Sequence, residues 1–325
     1  MNKFISIFSF IFLCAIILLI VFFWYFGPAG NSRKEQIFIV PQNEKTFDVS
    51  ASLKEKGLIK NQRSFQFLFD IFVKGNKNLS GGYRLSQNMN MWQVLKKITG
   101  KPDLVWVTIS GCVRKEQVGE ILMKALGWDK NKLNEWNSLY TKDHQEYFEG
   151  VYYPDTYLIP INEAPAAVAK RFINRFNEIF APYVDPYVAA NIRWTTGLKI
   201  ASLIAREAAG EKDMRLISGI IWNRLNTGMP LQIDATMQYT LGKNANGSWW
   251  GGIDINEKQN DSPYNSYLYK GLPPTPICSP NINYIKAALH PEETSCVYYL
   301  HDKNKQIYCA QTYKEHLDNV KKYLD

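Results

Sequence analysis

Hydrophobic positions divide the chain into one uninterrupted apolar run and a long series of periodic segments. No charged residue occurs between Phe4 and Ser32, and Phe4 to Phe26 is nearly all Phe, Ile, Leu, Val and Ala. Roughly 20 apolar residues cross a bilayer as a helix, so residues 4–26 are expected to form a transmembrane anchor. A cleaved signal peptide would have an apolar part of about 7–15 residues ending in a small-x-small site. Here the run is longer and ends in Trp24-Tyr25-Phe26-Gly27-Pro28, aromatics that suit a membrane–water interface. Residues 1–3 then read as a short cytoplasmic tail and 27–35 as a linker, with everything after them on the far side of the membrane. Lys3 precedes the span and Arg33 and Lys34 follow it, so charge alone does not set the orientation.

Beyond the anchor the period changes repeatedly. Ile37-Phe38-Ile39-Val40 reads as a short strand, Thr46 to Lys56 as a helix stopped by Gly57, and Ser64 to Val73 as a second helix. Gly81 to Leu85 is a turn into a strand, and Met91 to Ile98 is another helix. Gly100-Lys101-Pro102-Asp103 marks a boundary. After it come a strand at Val105–Ile109, a helix at Lys115–Leu126 and a long helix at Pro165–Phe180. Asp213 is a suitable N-cap for a helix at Met214–Leu225, and Ser279-Pro280 suits the start of another through Ile282 and Leu289.

One stripe carries a charge. Ile200, Leu203, Ile204, Glu207 and Ala208 lie at i, i+3, i+4, i+7 and i+8, one face of a helix. A carboxyl held against apolar side chains loses hydration and its pKa rises, as a general acid at a glycosidic oxygen requires. The plainer alternative is a Glu at the stripe's edge that reaches solvent or pairs with a basic residue.

Composition narrows the classes. The net charge of +8 is spread along the chain without a dense Lys/Arg run, which argues against nucleic acid as a partner; an anionic polymer or a membrane surface fits. Of five cysteines, Cys14 lies in the anchor run, and Cys112, Cys278, Cys296 and Cys309 are widely spaced. No CxxC pair or His at ligand spacing accompanies them, so no structural metal site is expected. One or two disulfides remain open outside the cytoplasm. No Gly-rich phosphate loop or nucleophile elbow occurs, and no cofactor is expected.

Polar and aromatic residues crowd between 223 and 280. They are Asn223-Arg224, then Gln232, Asp234, Thr236 and Tyr239, then Ser262-Pro263-Tyr264-Asn265, then a stiff Gly271-Leu272-Pro273-Pro274-Thr275-Pro276-Ile277 loop. Aromatic faces stack on sugars, and amides pair with hydroxyl and acetamido groups. Each cluster also has a structural explanation. Asn223-Arg224 can finish its helix, Asp234 can cap the next, and the tyrosines can belong to the core.

Taken in order, these segments resemble the YceG-like endolytic murein transglycosylases (MltG type). The resemblance rests on Phe148-Glu149-Gly150 with Tyr153-Pro154-Asp155-Thr156-Tyr157, on Ile200 to Ala208, on Asn223 to Tyr239, on Ser262 to Tyr267 and on Lys270 to Pro280. It implies an α+β architecture: an N-terminal transmembrane helix, a small LysM-like α+β subdomain over 36–103, and a larger mixed α/β catalytic domain over 104–325. The Gly81-Gly82-Tyr83-Arg84-Leu85-Ser86 turn matches the LysM-like part. It also implies cleavage of β-1,4 bonds between N-acetylmuramic acid and N-acetylglucosamine in nascent peptidoglycan strands, leaving 1,6-anhydro ends. Glu207 takes the catalytic position. A second Glu often stands two residues earlier in the family, where this chain has Ala205. Asn223, Arg224, Gln232, Asp234, Thr236, Tyr239, Tyr264 and Asn265 are expected to hold sugar or orient Glu207, with a substrate carboxylate as one ligand open to Arg224.

Two stretches depart from the family. Ile109-Ser110-Gly111-Cys112 replaces its usual Ile-Pro-Glu-Gly, and Ile307-Tyr308-Cys309-Ala310 precedes Thr312 to His316; His316 reads as structural. The implied setting is the bacterial inner membrane, single-pass, with the catalytic part extracytoplasmic and peptidoglycan synthases as candidate partners. A hydrolase of the same polymer would need a second carboxylate, for which Asp155, Asp213 and Asp234 are available. A non-catalytic wall-binding scaffold is the remaining alternative.

Overall fold

The computed structural model describes residues 2–42, 48–73, 78–139 and 149–324, with backbone alone for 2–9. The chain divides into two compact units: residues 1–107 with 157–162, and residues 108–156 with 163–325.

The first unit opens with helix α1 (Asn2–Phe26). Among the described residues, no helix is long and apolar enough to cross a membrane; the described side chains of α1 begin at Phe10. Strand β1 (Gln36–Val40), helices α2 (Val49–Glu55) and α3 (Gln62–Phe72), strand β2 (Gly81–Leu85), helix α4 (Met91–Ile98) and strand β3 (Leu104–Thr108) follow. Strand β4 (Thr156–Pro160) completes a four-stranded sheet in the order β1-β2-β3-β4. Strands β1 and β2 are antiparallel, with Phe38 opposite Tyr83. Alternation places Phe38 and Val40 inward, onto Leu53, Leu58, Phe65, Leu85, Met91 and Val94. Local capping fixes the helix starts: Asp48 accepts from the Ala51 N–H, Asn61 from Ser64, and Asn90 forms a capping box with Gln93. Helix α2 starts at Val49; the expected start near Thr46 lies outside the described residues.

The second unit holds α5 (Lys115–Leu126), α6 (Lys130–Ser138), α7 (Pro165–Phe180), α8 (Val184–Ala189), α9 (Trp194–Glu207), α10 (Met214–Asn226), α11 (Asp234–Leu241) and α12 (Ile282–Leu289). A hairpin of β5 (Tyr298–His301) and β6 (Ile307–Ala310) and helix α13 (Tyr313–Tyr323) close it. Its core is built on α9, whose Ile200, Leu203 and Ile204 are fully buried against Ile217 and Ile221 of α10 and Ile285 and Ala288 of α12. The apolar stripe therefore faces inward.

Two glycines permit this packing. A Cβ on Gly197 of α9 would lie 2.1 Å from the ring of Tyr187. That ring is pinned, because its hydroxyl donates to the Ile285 carbonyl at 2.8 Å. A Cβ on Gly219 of α10 would lie 2.3 Å from the Glu292 carbonyl oxygen, so the segment leading to β5 lies directly on α10.

Three cap expectations are corrected. Asp213 makes no side-chain cap to α10; its carboxylate is turned back onto the α9–α10 loop. Asp234 is the first residue of its helix and Ile233 occupies the cap position. Asn281, not Ser279, caps α12 by accepting from the Asn283 N–H. Two disulfides are formed, Cys112–Cys278 and Cys296–Cys309.

Replacing Gly197 with Ala drives a methyl into a ring that cannot retreat. We expect a loss of stability of about 1–3 kcal/mol, read as a lowered urea midpoint with an unchanged slope.

Candidate active site

Glu207 is the last residue of α9, and the backbone leaves the helix at Ala208 (φ −69°, ψ 132°). The apolar face of α9 carries it to the edge of the core. Burial pushes its pKa above the usual carboxylate value, and the nearby Asp234 charge adds to this; a hydrogen bond from Tyr299 and the positive charges of His301 and Arg206 oppose it. A helix C-terminus, with its partial negative charge, also disfavours the carboxylate.

The Tyr299 hydroxyl donates to Glu207 Oε2 at 2.5 Å. Burial, and then the Glu207 charge, keep that phenol protonated well above its ordinary range, so it remains a donor. With Oε2 held, Oε1 is the oxygen left to carry a transferable proton. His301, two residues on and therefore on the same face of β5, bonds through Nε2 to Asp213 Oδ2 at 2.7 Å. Asp213 also accepts from the N–H groups of Ala209 (2.9 Å) and Gly210 (3.1 Å). One carboxylate thus ties the chain just after Glu207 to the strand that carries Tyr299.

The other predicted site residues separate into groups. Asp234 lies near enough to act on Glu207 electrostatically, but its carboxylate already accepts from the Tyr267 hydroxyl and pairs with Lys258 Nζ at 3.3 Å. Gln232 is exposed, has a left-handed backbone (φ 51°) and donates its N–H to the Ser266 carbonyl at 2.9 Å. A strained non-glycine residue of this kind is held by its surroundings and is common at sites.

Asn223, Arg224, Thr236 and Asn265 are engaged within the protein. The Asn223 amide donates to the carbonyls of Thr294 (2.7 Å) and Cys296 (3.0 Å). Arg224 donates to the carbonyls of Val297 and Leu231. Thr236 is buried and bonds to the Ile233 carbonyl and the Ser266 hydroxyl. Asn265, fully buried, donates to the carbonyls of Lys258 and Asn260 and accepts from the N–H groups of Tyr267 and Leu268. These four shape the strand and loop that surround the site.

Tyr239 and Tyr264 belong to a second polar cluster. Their rings are 4.9 Å apart, and Tyr264 bonds to the Thr275 hydroxyl at 2.8 Å. The Tyr239 hydroxyl donates to Glu149 Oε2 at 3.1 Å, and the Arg114 guanidinium lies over the Tyr239 ring at 4.2 Å. Glu149 also accepts from the Lys115 N–H, in the first turn of α5. Burial pushes its carboxyl up to about 8, Glu116 adds to this, and the Lys115 N–H, Arg114 and Tyr239 oppose it.

Tyr299 and His301 escaped the reading of the sequence. The available signal was the two-residue spacing of polar aromatics in Tyr298-Tyr299-Leu300-His301. A cleft lined by Arg193, Trp222, Asn223, Glu292 and Thr294 does not include Glu207, so concavity alone does not mark this site. Among the described residues, no group of three His, Cys, Asp or Glu side chains is placed to hold a metal ion.

A mixed α/β fold that ends a core helix in a desolvated Glu has known counterparts. The sequence profile of the YceG-like family matches residues 38–322, and the chain belongs to that family. It is 26% identical over 323 residues to the endolytic murein transglycosylase of Bacillus subtilis strain 168, covering 91% of this chain and 87% of that one. It is also 26% identical over 333 residues to the endolytic murein transglycosylase of Streptococcus pneumoniae D39, where it spans 60% of the relative's length. The fold is similar to the crystal structure of a yceG-like protein from Listeria monocytogenes. The TM-score is 0.61 and the identity 25%, covering 88% of this chain and 99% of that one.

Two measurements check this geometry. The Tyr299 hydrogen bond favours the Glu207 carboxylate, so Tyr299→Phe should raise the Glu207 pKa further. The alkaline limb of the pH–rate profile should move to higher pH, with kcat/KM down roughly tenfold; an unmoved limb would contradict the contact. For Glu149 the folded value lies above the unfolded one, near 4.5. Its contribution to stability is therefore complete below about pH 4.5 and lost as the pH rises through about 8. Melting curves at pH 5 and pH 9 should show a smaller fall for Glu149→Gln than for wild type.

Proposed function

We propose that this protein is an endolytic lytic transglycosylase that cuts peptidoglycan strands with Glu207 as its acid and base. The observation that carries the reading is a desolvated carboxyl held by one hydrogen bond, while Glu149, also desolvated, is taken by the Lys115 N–H and the Tyr239 hydroxyl and three rival aspartates are engaged. Asp213 is bound to two backbone N–H groups and His301. Asp155 pairs with Arg175 at 2.7 Å. Asp234 is taken by Tyr267 and Lys258. Hydrolysis in its usual form asks for a second carboxylate as nucleophile or water-activating base. A reaction whose nucleophile belongs to the substrate needs one residue acting twice.

In that reaction the protonated Glu207 gives its proton to the glycosidic oxygen as the bond from the muramyl anomeric carbon breaks. The muramyl C6 hydroxyl attacks the same carbon, and its proton passes to the Glu207 carboxylate. The enzyme returns to its starting state, no water is consumed, and the muramyl residue ends as a 1,6-anhydro sugar. Tyr299 keeps the carboxyl aimed through both transfers, and Asp234, Gln232 and Tyr267 flank the sugar.

Residues 4–26 anchor the chain in the bacterial inner membrane with the catalytic unit outside. Helix α1 runs for 25 residues, about 37 Å at 1.5 Å per residue, and its side chains from Phe10 to Tyr25 are mostly exposed and apolar. The two disulfides suit an oxidising compartment. The β–α–α–β order of residues 36–85 supports a LysM-like subdomain over 36–103.

The test is mass spectrometry of glycan strands digested by the full chain in detergent, as wild type and as Glu207→Gln. Internal cuts with 1,6-anhydro ends, reduced at least about a hundredfold in the variant, are expected. Reducing ends would mean hydrolysis, and no cleavage by wild type would favour a wall-binding scaffold.

A further inference from the structure

Arg206 directly precedes Glu207 on α9, and so far it enters only through its charge. Among the described residues nothing accepts a hydrogen bond from its guanidinium, and its Nε is buried without a partner. Arg224, for which the sequence left open a substrate carboxylate or a role in the fold, is spent on the Val297 and Leu231 carbonyls. The vacancy for an anion therefore lies at Arg206.

The guanidinium is held in one plane. Trp250 covers it with its ring centroid 4.0 Å from Cζ. Trp250 is fixed in turn, because its Nε1–H donates to Gln117 Oε1 at 2.9 Å. That same oxygen accepts the Arg114 N–H at 3.2 Å, at the start of α5. The stacking face is thus set by a second helix. A guanidinium with one face covered and its N–H edge unspent is arranged for planar, bidentate recognition of a carboxylate. Arg206 and Glu207 feel each other's charge, yet no ion pair joins them among the described residues, so Glu207 does not fill the place.

We propose that Arg206, stacked on Trp250, is a subsite for a carboxylate carried on the lactyl arm of the muramyl residue that Glu207 cleaves. This rests on the transglycosylase reading. Where the strand lacks peptide, the carboxylate is the lactyl group's own; where a stem peptide is attached, it belongs to the stem. The N-acetylglucosamine residues carry neither. The subsite therefore distinguishes the two alternating sugars and sets which of the two kinds of glycosidic bond meets Glu207.

Binding is measured with the full chain carrying Glu207→Gln, so that no turnover occurs. The probes are peptide-bearing and peptide-free glycan strands, each native and with its carboxylates converted to amides. Adding Arg206→Gln should weaken binding roughly tenfold to native strands and leave amidated strands unaffected. A selective loss on peptide-bearing strands assigns the stem, and one on peptide-free strands assigns the lactyl group. Arg206→Lys, a point charge without the fork, should recover part of the loss, and Trp250→Ala should reproduce it. Equal loss on native and amidated strands, no loss, or no binding to any strand would each overturn the subsite. Cleavage by the chain with Glu207 intact is run beside it: absence of anhydro ends there sinks the transglycosylase reading, while the native-versus-amidated difference speaks to Arg206.

Discussion

Removal of water from one carboxyl group is the constraint on which the site depends. Helix α9 achieves it by burying Ile200, Leu203 and Ile204 in the core and letting the same face run out at Glu207. Burial alone would make a carboxyl that holds its proton too tightly to return it. The Tyr299 hydroxyl and the charges of His301 and Arg206 pull in the opposite direction. In the proposed reaction Glu207 is required in both forms during one cycle, and these opposing effects suit that requirement.

Around that group, most of the polar side chains face the protein's own backbone. Asn223, Arg224 and Asn265 together satisfy carbonyls at 231, 258, 260, 294, 296 and 297. Irregular loops that are buried must have their backbone groups paired, and here long polar side chains do that work where no sheet can. Glu149, Tyr239 and Arg114 form a separate buried network beside α5; it holds the start of that helix to the end of α11.

Much of this was legible in the sequence. The period gave α5, α7 and α10 nearly to the residue, because each has a clear apolar face; of α9 it gave the stripe from Ile200 to Glu207 but not the start at Trp194. The carboxyl in the apolar stripe could be read the same way. Less legible was the difference between a polar residue that faces a ligand and one that faces a carbonyl. Asn223, Thr236 and Asn265 have the composition of sugar-binding residues, and nothing local reveals that their partners lie up to 73 residues away. Asp213 misled for a related reason: it sits where a cap belongs, but closes the turn before the helix instead. Tyr299 was missed because its partner is 92 residues away and its strand is four residues long.

That short strand has a consequence for how the family's sequences can drift. A hairpin with two four-residue strands is too small to keep its own shape in water. It borrows stiffness from the Cys296–Cys309 bond, from the Asn223 amide and from the close approach of Glu292 to Gly219. The position of the Tyr299 hydroxyl is thus inherited jointly from distant parts of the chain. A lineage that discards the cysteine pair would need another brace for the same hairpin, so covariation should run between the hairpin and α10.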